Sequence, residues 1–301
     1  KLNFYLDKLA GRGLLSRTLL VEGRPFVTVH PLSRYYMFPN SRVDNDTPLI
    51  LSRFALFRRK DKNIVLECPA GHAQIDIHSP NASAILHRLA FPAVVKDLAD
   101  EFSRLSRESL SEFAGILLSA NAVCPADGKG HPEEDKDRGL AHWEFHDLLF
   151  HSRSRLGRHA NPSGKTYRFK GQFPPLPQVK PLMSDKIVSL PTPDINKLRK
   201  TDMPLAEAME SRHSMRNHAD EPITDQQMGE FLYRCARVKE VSNDDWGGVT
   251  FRPSPCGGAF HSLEIYPIID RCKGIDPGLY HYDPLEHRLC MLSEPNPWIN
   301  A

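Results

Sequence analysis

Nowhere does the chain hold an apolar run approaching the about 20 residues that a membrane helix needs, so no helical span is expected. The opening residues, Lys1-Leu2-Asn3-Phe4-Tyr5-Leu6-Asp7-Lys8, lack the basic and apolar regions of a secretory signal. No Gly-x-Gly-x-x-Gly turn is present, which removes the usual cradle for a dinucleotide pyrophosphate. No Cys-x-x-Cys occurs either. The six cysteines (Cys68, Cys124, Cys235, Cys256, Cys272, Cys290) are scattered, against a disulfide frame or a zinc site. They read as reduced, mostly buried thiols of a cytoplasmic protein. Neither sign of charge is in excess: 39 Lys and Arg face 37 Asp and Glu, a net of +2. Such a balance gives no field that would gather nucleic acid or a membrane surface. With 40% hydrophobic and 25% charged residues in 301, the composition is that of an ordinary soluble protein of about two domains.

Proline, by contrast, is plentiful, with 25 residues, many of them between Pro162 and Pro204. That stretch, including Pro174-Pro175-Leu176-Pro177, reads as an extended spacer over Gly171–Pro193. The pattern divides the chain into a first module (1–125), a connecting region (126–203) and a last segment (204–301), with an α+β fold class. In the first module, Leu2 to Leu15 reads as a short helix ending at Gly11 or Gly13. Arg17–Val21 and Phe26–Val29 read as a hairpin around Glu22-Gly23-Arg24-Pro25, and Ile64–Glu67 with Ala73–Ile77 as a second. Val94 to Phe102 is helical. Ser106 caps a further helix whose apolar positions Leu110, Phe113, Ala114, Leu117 and Leu118 keep the 3.6 period. Helices with two-stranded wings point to a winged-helix-like module, with Leu98-Ala99 and Leu117-Leu118 in its core. Its recognition-helix candidate, Arg107 to Leu118, carries Glu108 and Glu112, which argues against a DNA groove.

Asp127 to Asp137 reads as a mobile charged loop, and His142 to Phe150 as a helix. His146, His151 and His159 invite a metal reading. His146 and His151 are five apart, however, not the i, i+4 spacing that sets two ligands on one helix face. The simpler reading is an interdomain clamp built from histidine and arginine donors, with no metal. In the last segment Leu205 to Glu210 starts a helix. Thr224 to Val238 reads as a second helix, capped by Thr224 with Gln227 completing a capping box.

Two runs in this segment carry the chemistry. Ser211-Arg212-His213-Ser214-Met215-Arg216 sets two guanidiniums and a hydroxyl close together, a grip for a phosphate monoester. Arg252-Pro253-Ser254-Pro255-Cys256-Gly257-Gly258-Ala259 is a Pro/Gly turn whose bare backbone lets a flat ligand approach. Clamp and ledge together point to a phosphorylated planar cofactor such as FMN. Singly, each run is more often a solvated helix end or an ordinary turn.

Taken as a set, Arg212-His213-Ser214-x-Arg216, Pro253-Ser254-Pro255-x-Gly257-Gly258-Ala259 with Leu263-Glu264-Ile265-Tyr266, and Gly278-Leu279-Tyr280-His281-Tyr282-Asp283-Pro284 resemble the nitroreductase-fold flavoproteins. Within that superfamily they resemble the SagB-type dehydrogenases, the azoline oxidases of thiazole- and oxazole-containing peptide pathways. The upstream stretch Trp143 to Arg155 is similar to the same branch, and the resemblance runs from about Leu51 to about Leu292. It implies an FMN-dependent dehydrogenase that oxidises peptide thiazolines or oxazolines with oxygen as acceptor. The implied cofactor contacts are Arg212, His213, Ser214 and Arg216 on the phosphate and Pro255, Cys256, Gly257 and Gly258 along the ring. Cys256 stands where the family usually has serine, and a thiol is the weaker donor.

The resemblance also implies a modified precursor peptide as substrate, a cyclodehydratase complex as partner, a homodimer, and a first module that docks a leader peptide by fold analogy. Nucleic acid and membranes are not expected partners. By resemblance, a flavin domain of this kind is much longer than the segment after the spacer. Only its first half is expected here, and no catalytic base is identified. The competing readings are a flavoprotein of the same fold acting on another small substrate, and a non-catalytic peptide-docking partner in a biosynthetic complex.

Overall fold

Apolar alternation and tight polar turns build the first half of the chain. In the computed structural model, which describes residues 2–39, 43–44, 46–159, 164, 166–217, 219–242 and 248–297, the chain divides into two units, residues 1–166 and 167–301. Helix α1 (Leu2–Ala10) ends in a turn at Gly13, as the glycines predict. Strands β1 (Arg17–Val21) and β2 (Arg24–Pro31) follow, joined through Glu22 and Gly23, both at positive φ (51° and 74°). Left-handed backbone at both turn positions matches the twist of an antiparallel pair. Next come β3 (Leu49–Leu51), β4 (Leu56–Lys60), β5 (Asn63–Glu67) and β6 (Ala73–Ile77). Helices α2 (Pro80–Arg88), α3 (Val95–Glu101) and α4 (Arg107–Ser119) lead to β7 (Val123–Pro125) and then α5 (Phe145–Arg153).

The two expected hairpins are not separate wings. β2 pairs with β6 and joins them into one antiparallel five-stranded sheet of order β1-β2-β6-β5-β4, while β3 pairs with β7. One face of this sheet and the helices enclose a core that includes Val27, Val29, Ile75, Ile85, Leu98, Leu110, Phe113 and Leu117. Each such fully buried side chain contributes about 1.5–3 kcal/mol. Phe26 and Phe113 meet edge to face, ring centres 5.2 Å apart. Ser106 caps α4, accepting from Ser109 N–H, and the predicted apolar stripe of that helix faces inward, with Leu118 only partly covered. Gly71, in the β5–β6 turn, is required by close approach: a Cβ there would collide with the Ala120 carbonyl oxygen.

Against the expected segments 1–125, 126–203 and 204–301, residues 126–159 belong with the first unit. The stretch Asp127–Asp137 is a tied-down turn, not a free loop. Asp127 accepts from the amides of Lys129 and His131 and from Lys136 Nζ (2.8 Å). Glu134 is buried, accepting from Ser52 Oγ at 2.6 Å and the Arg53 amide at 2.7 Å. Ion-pair and hydrogen-bond partners inside the fold, which charge runs conceal, explain the difference. The expected interdomain clamp of arginine and histidine donors is corrected: the contacts of Arg153 and Arg158 among the described residues lie within the first unit. Arg153 reaches buried Glu67 (2.7 Å), and Arg158 reaches the Pro69 carbonyl (2.7 Å) and the His72 ring.

The second unit contains β8 (Ile187–Ser189), α6 (Ile195–Thr201), α7 (Leu205–Ser211), β9 (Ile223–Thr224), α8 (Asp225–Ala236), β10 (Glu240–Ser242), β11 (Val249–Phe251), β12 (Ile268–Ile269), β13 (Cys272–Lys273), β14 (Gly278–Asp283) and β15 (Arg288–Ser293). Strand β8 lies inside the expected spacer and is a sheet strand. The main sheet runs β12-β14-β15-β8, all antiparallel, with β10–β11 and β13–β9 as small pairs. The capping box of α8 forms as predicted between Thr224 and Gln227. Its inner face and the sheet enclose Leu190, Leu232, Ala236, Ile269, Tyr280, Tyr282 and Leu289. The two tyrosines keep their hydroxyls bonded, Tyr280 to the Asp276 carbonyl and Tyr282 to His287 Nδ1, each at 2.8 Å. Among the described residues no helix is long and apolar enough to cross a membrane. The described cysteines are all free, but only Cys68 and Cys290 are buried, and Cys235 and Cys256 are exposed. The expectation of mostly buried thiols is corrected accordingly.

Candidate functional site

The clamp begins where α7 stops. Arg212 leaves the helix with extended backbone (φ −62°, ψ 121°), and residues 212–216 continue without regular structure, all of them exposed. His213 Nδ1–H donates to the Ser211 carbonyl at 3.0 Å, a local bond that fixes the start of the run. Neither Arg212 nor Arg216 has a hydrogen bond or ion pair among the described residues. Surface arginines with no carboxylate partner keep their planar donor forks available for an incoming anion.

The ledge grows out of β11. From Arg252 the chain runs through two prolines to Cys256, extended at φ −150° and ψ 145°, and then closes into a single 3-10 turn over Gly257–Ala259. Left-handed backbone recurs here: Gly258 at φ 67°, Ala259 at 58° and His261 at 43°. Only glycine adopts this region without strain, so Gly258 serves the turn itself. Gly257 serves something else. A Cβ at that position would meet nothing within 4 Å, so the surface above it is open, not filled by packing. Cys256 has a structural task that sequence alone does not reveal: its Sγ accepts the His261 amide at 3.1 Å and closes the turn.

One further cation belongs with this group. Arg252 opens the run, and its Nε donates to Thr250 Oγ1 at 3.3 Å, while its Nη2 is buried with no partner among the described residues. Burial, with the charge of Arg252 second, holds the neighbouring His261 below its ordinary pKa. A buried guanidinium nitrogen without an acceptor is costly and calls for one. No hydrogen bond, ion pair or ring contact joins residues 212–216 to 255–258 among the described residues; each run is presented separately on the second unit. The donor set nevertheless fits FMN in kind, with unpaired guanidiniums for a phosphate and a bare, left-handed turn for a ring edge.

Beyond the ledge the fold gathers two polar pairs that the motifs did not single out as a group. Glu264 Oε2 accepts from Nε2–H of His281, a wholly buried histidine on β14, at 2.9 Å. Lys180 Nζ donates to Tyr266 Oη at 2.7 Å. The signal in the sequence was the alternation of Glu264 and Tyr266 on one extended segment, whose partners lie far along the chain. As for a metal, His146 is exposed, His151 packs on Trp143 with ring centres 5.0 Å apart, and no group of three or more His, Cys, Asp or Glu among the described residues is placed to hold an ion.

The family model described as cyanobactin oxidase ThcOx matches residues 49–160, less than half of the chain. The matched stretch lies in the first unit and spans β3 to α5, so the clamp and ledge fall outside it. No curated protein matches the chain.

Proposed function

We propose that the chain belongs to an FMN-dependent oxidoreductase of ribosomally made peptides, one that oxidises thiazolines or oxazolines to thiazoles or oxazoles with oxygen as the final acceptor. The observation that carries this reading is the similarity of residues 49–160 to a peptide-modifying oxidase family, which is related to the SagB-type dehydrogenases that the later motifs resemble. Arg212 and Arg216 would neutralise the cofactor phosphate, with His213 and Ser214 adding donors. Pro255, Cys256, Gly257 and Gly258 would face the ring edge through backbone groups, and Arg252 Nη2 would gain the acceptor it lacks. When bound, FMN supplies a two-electron acceptor that oxygen can recycle. The protein's own contribution is to bind and orient the peptide ring so that aromatisation proceeds. The first unit docks the precursor peptide, a cyclodehydratase supplies the azoline, and a second copy of the chain completes a homodimer.

The test is direct. Cofactor released by heat from the purified protein should run as FMN on chromatography, and a cyclised peptide should lose two hydrogens per ring by mass analysis. Recovery of FAD alone would sink the cofactor assignment. The position of the family match favours one second reading, because it covers the first unit and not the clamp. The chain would then be a peptide-docking partner without chemistry of its own, and a colourless protein that still binds precursor peptide would select it.

A further inference from the structure

Behind the ledge, within the second unit, lies a cavity of about 460 Å³. Pro175, Leu176, Val249 and Phe260 supply apolar walls, and Lys180 and Glu264 supply the charged groups. We infer that this cavity holds the five-membered heterocycle of the peptide together with the amide that precedes it. The inference rests on the azoline reading above for its substrate class, and names the place and the contacts.

The chemistry of the lining selects the ligand. A cavity of this size, walled by apolar groups with a few convergent polar ones, is the usual form of a small-molecule site. One ammonium and one carboxylate cancel, so a neutral ligand is favoured over an anion or a cation. Flat walls of proline, leucine and phenylalanine suit a flat ring. Gln178, Thr250, His261 and Ser262 add neutral polar groups to the lining, and the two charged groups are already oriented. Lys180 gives one proton to Tyr266 and retains two others for an acceptor, and that bond to Tyr266 is the main cause that raises its pKa and keeps it charged. Glu264 is held through Oε2 by His281, and Oε1 makes no hydrogen bond among the described residues. His281 is wholly buried and its Nδ1 has no partner among the described residues, so the ring's one bonded proton is committed to Glu264. A thiazole or thiazoline residue in a peptide offers the complementary pair, a ring nitrogen that accepts from Lys180 and a preceding amide N–H that donates to Glu264.

The experiment titrates the whole chain with a blocked thiazole-containing dipeptide, by calorimetry or ligand-observed NMR. It compares Leu176→Asp, Glu264→Gln and a control, Leu205→Asp. Leu176 is 89% exposed and Leu205 76%, so both tolerate the change without loss of core, and Glu264→Gln keeps the side-chain shape. Saturable binding is expected in the parent protein and in Leu205→Asp, weakened about tenfold or more in the other two. A matched peptide with serine in place of the ring should not bind. Absence of saturable binding, or binding unchanged in both cavity variants, overturns the inference. Flavin content and ring oxidation, measured on the same preparations, separate this from the functional reading. Thiazole binding that depends on Leu176 and Glu264 in a protein without flavin would leave the cavity assignment standing and remove the oxidase. Oxidation that proceeds equally in all variants would do the reverse.

Discussion

The first unit buries carboxylates with partners, whereas the second, which also has internal ion pairs such as Arg234–Asp202 and Arg288–Asp283, leaves the arginines of its clamp open. Glu67 lies between Arg58 (2.6 Å) and Arg153 (2.7 Å), Glu134 is bound by Ser52 and Arg53, and Asp76 accepts from Asn63 and Gln74. In the second unit Arg212 and Arg216 stand exposed, and among the described residues Arg252 Nη2 has no acceptor and Glu264 keeps one oxygen without a hydrogen bond. The cores differ in size: a broad one fills the first unit, a smaller one around Leu232, Tyr280, Tyr282 and Leu289 the second, and both units also expose large apolar side chains, Phe91 and Phe150 in the first, Leu205 and Leu263 in the second. Buried carboxylates with partners hold a fold in place, whereas exposed guanidiniums without partners keep their donors open to an anion.

The sharpest way to break this contrast is to damage the first unit and look at the second. Phe113→Ala removes a buried ring packed on Phe26 and should lower stability by about 3–5 kcal/mol in a denaturant melt. Flavin content of the protein that remains folded should not change, and a parallel loss of flavin would show that the two roles are not separable. The converse substitution is next in size. Arg212→Ala or Arg216→Ala should weaken FMN binding by one to two decades, at about 1.5–3 kcal/mol per charge-assisted contact, with an unaltered melt. A fluorescence titration under dilution reads this, and full occupancy in both variants would remove the clamp from the site.

A matched pair of caps sharpens the comparison further. Ser106→Ala at α4 and Thr224→Ala at α8 should each cost about 1 kcal/mol, since each hydroxyl satisfies an amide at its helix start. Equal costs would mean that local helix chemistry is the same in both units and that their difference is one of packing. The smallest expected effect is pH dependence. Burial holds His72 in the first unit below its ordinary pKa, with the Arg158 charge acting in the same direction, and burial does the same for His287 in the second. A histidine whose folded pKa is depressed favours the neutral form. Its contribution is therefore present above about 6.5 and is lost as pH falls through the folded value. Melts between pH 8 and 5 should show both units losing stability on the acid side, and a melt flat over that range would argue against burial as the controlling term.

Much of this was legible from residues alone, wherever the cause is local. The Glu22-Gly23 turn, the Ser106 cap and the Thr224–Gln227 capping box act within a few residues, and each appears as read. Strand β4 is not legible because Phe57-Arg58-Arg59-Lys60 shows no apolar alternation, being the exposed edge of its sheet. Strand β8 is hidden among prolines, since its pairing partner β15 is distant in the chain. The runs 212–216 and 252–259 were legible as motifs, while the exposed, unpaired state of Arg212 and Arg216 among the described residues was not.

By itself, the sequence determined the helix starts, the tight turns, the apolar stripes and the presence of two arginines and a bare turn, because each depends on backbone preference or spacing between near neighbours. Only the tertiary structure decided that β2 and β6 would fuse two hairpins into one sheet, that Glu134 and Glu67 would be buried with partners, and that Lys180 and Glu264 would face the same cavity. Those outcomes depend on contacts between residues far apart in the chain. Whether such a charge ends in solvent or in a bond is settled by the desolvation it undergoes when the chain folds.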